Sequence, residues 1–193
     1  MPPTPKRTCR ARSTAYGRSK LAGETAIREL AGAYVILRSS WIYAGRGHNF
    51  VRTILRLAHE RKELQIVADQ VGAPTWARDI ADATAVIIQA IVRERAEGRF
   101  ASGLFNLTAS GVASWHGFAQ AILEVGMRNG LFFGNDLPQL HPIRSEDYPL
   151  PAARPKNSRL AGDRVRDRFA VSLPDWKQAL ALCLTEMQSR AQV

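Results

Sequence analysis

The chain has 193 residues, of which 46% are hydrophobic and 23% charged, and a formal net charge of +10. That length supports one domain with a substantial core, and no run approaches the roughly 18–20 apolar residues that a spanning helix needs. The start, Met1-Pro2-Pro3-Thr4-Pro5, has no apolar stretch behind a basic region and does not read as a secretory leader, so the expected location is cytoplasmic.

Residues 1–13 hold three prolines, many basic residues and almost nothing apolar; they are expected to be disordered. Lys6, Arg7, Arg10, Arg12, Arg18 and Lys20 all precede the first acidic residue, Glu24. Such a run suits either a nucleic-acid-binding arm or a solvated tail. No nucleic-acid-binding module accompanies it, so neither nucleic acid nor membrane is an expected partner. Cys9 and Cys183 form no CxxC pair, and His48, His59, His116 and His141 are scattered. That pattern argues against a structural disulfide and a protein-ligated metal.

From Ser13 or Thr14, either a plausible cap, a helix is expected to about Ala31, with Leu21, Ala22, Thr25, Ala26 and Leu30 as its core stripe. Gly32 ends it. Tyr34-Val35-Ile36-Leu37 reads as a buried parallel strand, and Arg38 to Gly47 as a loop at its C-terminal end, the edge where open α/β sheets bind ligands. Asn49 to Lys62 reads as an amphipathic helix with Phe50, Ile54, Leu57 and Ala58 on one face. Leu64 to Val67 is a strand, and Asp69 to Thr75 a loop broken by Gly72 and Pro74. A long helix over Asp79 to about Arg95 is built on Ile80, Ala83, Ile87, Ile88 and Ile91. Leu104 to Leu107 is a strand, and Ser114 caps a helix reaching about Met127. Leu131 to Pro155 carries five prolines and reads mostly as loop, with a brief strand at Leu140 to Ile143. The last helix, about Pro174 to Met187, carries Trp176, Leu180, Cys183, Leu184 and Met187 at core spacing. The alternation of strand and helix makes the fold α/β.

Tyr16 and Lys20 stand four residues apart, on one face of the first helix. An ammonium beside a phenol favours the phenolate, which suits a tyrosine that gives and retakes a proton. The pair alone is a weak signal. It gains weight from Leu21-Ala22-Gly23-Glu24, the buried strand, and then Arg38-Ser39-Ser40-Trp41-Ile42-Tyr43. This order resembles the extended short-chain dehydrogenase/reductase superfamily. Within it, Leu37 to Phe50, Asp69-Gln70-Val71-Gly72-Ala73-Pro74-Thr75, Arg154-Pro155-Lys156-Asn157-Ser158-Arg159-Leu160 and the last helix are similar to the dTDP-4-dehydrorhamnose reductase family. The resemblance covers about residue 15 to about residue 190.

The resemblance implies the C-terminal part of an NAD(P)-binding doubly wound, Rossmann-like sheet plus a small substrate-binding subdomain, with residues 14–193 as a partial reductase domain. It implies reduction of the 4-keto group of dTDP-4-dehydro-6-deoxy-L-mannose to dTDP-L-rhamnose by NADPH or NADH. Tyr16 is then the proton donor, and Lys20 holds the nicotinamide ribose. Tyr16, Lys20 and Ser39 touch the cofactor. Trp41 contacts the sugar with its flat face, and Arg154, with Asn157, lies near the nucleotide-sugar side, where a guanidinium fork suits a diphosphate. Asn49 either contacts substrate or caps its helix. Ala73-Pro74-Thr75 shapes the pocket. A Mg²⁺ ion and a homodimer are left open.

The family's strand–Gly-rich turn–helix for the dinucleotide has no counterpart here; Gly45-Arg46-Gly47 does not follow an opening strand. The expectation is a truncated, inactive form lacking roughly a hundred residues or more of the dinucleotide fold. Such a chain would expose apolar helix faces. The alternative is a non-catalytic nucleotide-sugar-binding or regulatory protein of the same fold.

Overall fold

The computed structural model describes residues 15–30, 32–132, 137–148 and 154–191. The segment expected to be disordered, the helix caps Ser13 and Thr14, Ala31 and parts of the proline-rich stretch lie outside those residues. Helix α1 (Ala15–Leu30) leads to strand β1 (Val35–Arg38), which pairs in parallel with β6 (Gly103–Asn106), Leu37 opposite Phe105. Between them run β2 (Ile42–Tyr43), α2 (Phe50–Glu60), β3 (Glu63–Val67), β4 (Val71–Gly72), β5 (Thr75–Trp76) and α3 (Ala77–Ala96). After β6 come β7 (Ala113–Ser114), α4 (Trp115–Arg128), β8 (Gln139–Ile143), α5 (Asp163–Phe169) and α6 (Trp176–Ala191).

The expected α/β class holds. Among the described residues the strands form four two-stranded pairings: β1 with β6, β2 with β5 and β3 with β8, all parallel, and β4 with β7, antiparallel. The two-residue strands β2, β4, β5 and β7 fall in stretches that sequence patterning reads as loop or helix cap. Two residues carry no period, so only tertiary pairing makes them strands. Helix α5, inside a charged stretch with Val165 and Phe169 as its buried residues, is likewise invisible to periodicity.

Two apolar clusters divide the chain. One joins α2, α4 and α6 through Val51, Ile54, Phe118, Ile122, Trp176, Leu180 and Leu184, with Tyr43 and Trp76 from the short strands. The other packs Ala83 and Ile87 of α3 and Val165 and Phe169 of α5 on Phe105 of β6. The stripe expected on α1 is corrected: none of its residues is buried, and Leu30 is 87% exposed. Leu21 is half-buried, and Ala22, Thr25, Ala26 and Leu30 are exposed. Ile88 of α3 is likewise corrected: it lies 53% exposed. Glu24 ties α1 to β1: its carboxylate receives Arg38 Nε at 2.6 Å and Nη2 at 2.5 Å. Helix α1 thus meets β1 through a bidentate pair, with no fully buried residue on the helix.

Thr75 is the polar hinge of the first cluster. It is fully buried; its hydroxyl donates to the Ala73 carbonyl (3.0 Å) and accepts from the Ala109 N–H (3.2 Å). Thr75→Val keeps the shape and strands that N–H. It should lower stability by about 1–3 kcal/mol, seen as a lower urea midpoint with an unchanged m-value.

Candidate functional site

The loop after β1 carries the first wall of the site. Ser39 and Ser40, at the C-terminal end of the strand, bury hydroxyls that find no hydrogen-bond partner among the described residues. Trp41 follows with φ +50°, a left-handed conformation. For a bulky side chain such strain costs about 1–3 kcal/mol and persists where surroundings over-determine it, often at ligand sites. The surroundings here are the Trp41 carbonyl, which accepts from Thr75 N–H at 3.1 Å, and the two sides of the indole. Gly72 lies on one side: a Cβ there would stand 2.5–2.9 Å from three indole atoms. On the other, the Trp115 ring lies parallel, with centroids 3.6 Å apart and 6° between planes.

Trp115 opens α4 directly after the cap Ser114, whose Oγ accepts from Gly117 N–H at 2.9 Å. Phe50 packs on Trp115 with centroids 4.7 Å apart and planes 51° apart. The indole Nε1–H donates to Gln70 Oε1 at 3.2 Å, while Gln70 Nε2 donates to Ser145 Oγ at 2.9 Å. Ser145 in turn donates twice to Asp69 Oδ1, from its hydroxyl at 2.6 Å and its N–H at 2.9 Å. Lys156 Nζ lies 3.2 Å from Asp69 Oδ2. These bonds, led by the Ser145 hydroxyl and joined by Lys156, hold the Asp69 carboxyl at about 2 against the opposing effect of burial.

Backbone pairing brings the last block in. Val71 N–H donates to the Lys156 carbonyl (2.9 Å), and Ser158 N–H donates to the Val71 carbonyl (2.8 Å). Arg154 thereby reaches the aromatic stack, its guanidinium carbon 6.0 Å from the Trp115 ring centroid. A cavity of about 290 Å³ opens there, lined by Trp41, Ile42, Tyr43, Phe50, Trp115, Phe118 and Arg154. Ligand pockets run from about 300 Å³ upward, so this one stands at the small end of that range. Tyr43 is wall, not acid: burial first, then Cys183 and Asp79, push its phenol far above the ordinary range.

Of the residues expected at a site, Trp41 and Arg154 meet in this cavity. Tyr16 and Lys20 share one face of α1, the Lys20 ammonium 5.4 Å from the Tyr16 ring centroid, and Tyr16 is 70% exposed; neither lines the cavity. Asn49 is engaged as a helix cap: its Oδ1 accepts from Arg52 N–H at 3.3 Å, and its amide donates to the Ala44 and Arg46 carbonyls. Asn157 closes its own turn, accepting from Arg159 N–H (3.0 Å) and Nε (3.2 Å). The expected substrate contacts at Asn49 and Asn157 thus have no support in the cavity lining. Trp115, Phe50 and Phe118 were not expected there. Trp115 falls at the helical spacing of Phe118 and Ile122 and cannot be told from core by sequence. Among the described residues no group of three or more His, Cys, Asp or Glu is placed to hold a metal ion, and no helix is long and apolar enough to cross a membrane.

Residues 10–189 match the family model described as the RmlD substrate binding domain. The dTDP-4-dehydrorhamnose reductase of Burkholderia thailandensis is 47% identical over 176 residues, 91% of this chain and 59% of that protein. That of Escherichia coli K12 is 41% identical over 172 residues, 89% and 56% respectively. Among solved structures, a dTDP-4-dehydrorhamnose reductase from Clostridium acetobutylicum superposes with a TM-score of 0.77 at 32% identity, over 90% of this chain and 56% of that one. The Bacillus anthracis reductase in complex with NADP gives 0.73 at 33%, over 89% and 54%. A dTDP-glucose 4,6-dehydratase bound to NAD, at 12% identity and a TM-score of 0.65, shares the fold alone. The chain spans a little over half the length of the curated relatives it matches.

Two outcomes follow from the geometry. A methyl at position 72 has no room behind Trp41, so Gly72→Ala should displace the indole, cost about 1–3 kcal/mol and shift tryptophan emission. Asp69 has a folded pKa below its ordinary 3.8, so its stabilising effect is present above about pH 4 and is lost as pH falls towards about 2. Urea midpoints should decline across that window, and Asp69→Asn should flatten the decline.

Proposed function

Starting from the premise that this chain belongs to the RmlD substrate-binding-domain family, we propose that it is the substrate-binding part of a dTDP-4-dehydrorhamnose reductase. The reaction is reduction of the 4-keto group of dTDP-4-dehydro-6-deoxy-L-mannose to dTDP-L-rhamnose. The observation that carries this reading is the convergence of the Trp41 and Arg154 blocks, more than a hundred residues apart in sequence, on one small cavity. An apolar aromatic wall accepts the C–H face of a sugar or a base. Arg154 at the rim supplies a fork for phosphate oxygens.

The fit to a nicotinamide cofactor rests on Ser39 and Ser40, whose buried hydroxyls have no hydrogen-bond partner among the described residues at the C-terminal end of β1, the edge where parallel sheets receive ligands. When bound, the nicotinamide supplies the hydride, and both NADPH and NADH fit this reading. The Tyr16 hydroxyl gives its proton to the C4 oxygen as negative charge develops there. Lys20, beside the Tyr16 ring, offsets the phenolate charge that results. Its ammonium also suits the nicotinamide ribose hydroxyls. No group of three or more His, Cys, Asp or Glu is gathered among the described residues, and no step is assigned to Mg²⁺. A nucleotide-sugar substrate suits a cytoplasmic setting. Sedimentation velocity reads directly whether two copies pair.

A second reading, a non-catalytic nucleotide-sugar-binding protein of the same fold, draws on one observation. The cavity is walled by its own cluster, while Tyr16 stands exposed on a helix with no buried residue. NAD(P)H oxidation with the 4-keto sugar nucleotide separates the two. It is measured for this chain alone and for this chain joined behind the N-terminal half of the Burkholderia thailandensis relative. The fusion should turn over, and Tyr16→Phe in it should lose about 10²–10⁴-fold in rate. Full activity of that variant would remove Tyr16 from the mechanism. Binding of dTDP with no turnover by either protein would favour the second reading.

A further inference from the structure

Trp41 is the aromatic surface that the reading above assigns to a ligand ring, yet neither of its faces is available. Gly72 backs one, with no space for even a methyl group. Trp115 covers the other at 3.6 Å, in the parallel arrangement a bound ring would adopt. Trp115 is itself flanked by Phe50. The cavity lies beside this stack, with both indoles in its lining. A ring can therefore reach a face of Trp41 only by taking the place of Trp115.

We propose that Trp115 is a displaceable aromatic leaf over Trp41, latched by Gln70, and that a sugar or base ring of the nucleotide-sugar ligand replaces it there. The inference rests on the reading of the cavity as a nucleotide-sugar site. Of the two indoles, Trp115 is the one free to move. Trp41 is pinned by the Thr75 hydrogen bond to its carbonyl, by its left-handed backbone and by Gly72 behind it. Trp115 is half-buried at the first position of α4, where the capping bond runs from Gly117 to Ser114 and does not involve its side chain. A side-chain rotation leaves that bond intact. One hydrogen bond, Nε1–H to Gln70 Oε1, ties the indole to the Asp69–Ser145 network. Arg154, 6.0 Å from the Trp115 ring, is the group a phosphate would draw away, so anion binding and release of the leaf are coupled.

The sign of the mutational effects distinguishes a leaf from a fixed platform. A leaf holds part of the population closed and weakens apparent affinity by that fraction. Gln70→Leu and Trp115→Ala in the full chain should therefore bind more tightly by about 3- to 10-fold, with dTDP and dTDP-glucose as calorimetric probes. A gain with both probes assigns the base to the Trp41 face, and a gain with dTDP-glucose alone assigns the pyranose. Weaker binding by Trp115→Ala, or no gain by either variant with either probe, overturns the proposal. A second readout uses the unaltered protein. Two parallel indoles in contact give an excitonic circular-dichroism couplet, identified as the signal lost in Trp115→Phe. That couplet should vanish on saturation with dTDP-glucose. Binding with a persistent couplet overturns the leaf alone, and absence of binding overturns the nucleotide-sugar reading with it.

Discussion

The contact between the Trp41 indole and the bare backbone of Gly72 is the constraint around which the site is arranged. It requires Trp41 to leave β1 in a left-handed conformation and β4 to run close behind the ring. Strand β4 can do so because both of its edges are engaged. One pairs with β7, which delivers Trp115 to the opposite face of Trp41. Val71 bonds the 156–158 segment, which delivers Arg154. Residue 72 therefore determines where three separate blocks of sequence converge. A side chain there would separate the indole from the strand and dissolve the geometry from its centre.

Around that contact, polar and apolar forces divide the work. The apolar cluster of α2, α4 and α6 provides a rigid wall, as expected for close-packed side chains that interdigitate. The polar chain runs from Trp115 through Gln70 and Ser145 to Asp69 by hydrogen bonds and ends on Lys156 as an ion pair. Networks of this kind specify orientation more than they add stability. Rigidity on the Trp41 side and a single hydrogen bond on the Trp115 side give the stack an unequal pair of leaves.

The Tyr16–Lys20 face stands in a different mechanical regime. Helix α1 buries no side chain and meets β1 through the Glu24–Arg38 pair, whose partners remain 15% and 32% exposed. The Tyr16–Lys20 face thus stands on a helix with no buried residue, whereas the cavity draws Tyr43, Phe50, Trp115 and Phe118 from a packed cluster.

Sequence by itself determined the α/β class, the helices that begin after Asn49 and Ser114, the stripe of α6 and the i,i+4 spacing of Tyr16 and Lys20, and it singled out Trp41 and Arg154, which line one cavity. Each is encoded locally, by a helical period, a cap or an uninterrupted motif block. It misjudged α1, because an apolar stripe states that a face can be buried, not that a partner is present to bury it. It could not separate Asn49 as cap from Asn49 as ligand contact; the amide bonds to Ala44 and Arg46 settled its engagement with the loop. Only the tertiary structure decided the two-residue pairings of β2 with β5 and β4 with β7, the stacking of Trp115 on Trp41, and the role of Gly72 behind them. The physical reason is range: a period reports which side of an element is apolar, while stacking joins residues 74 positions apart whose spacing along the chain carries no trace of the contact.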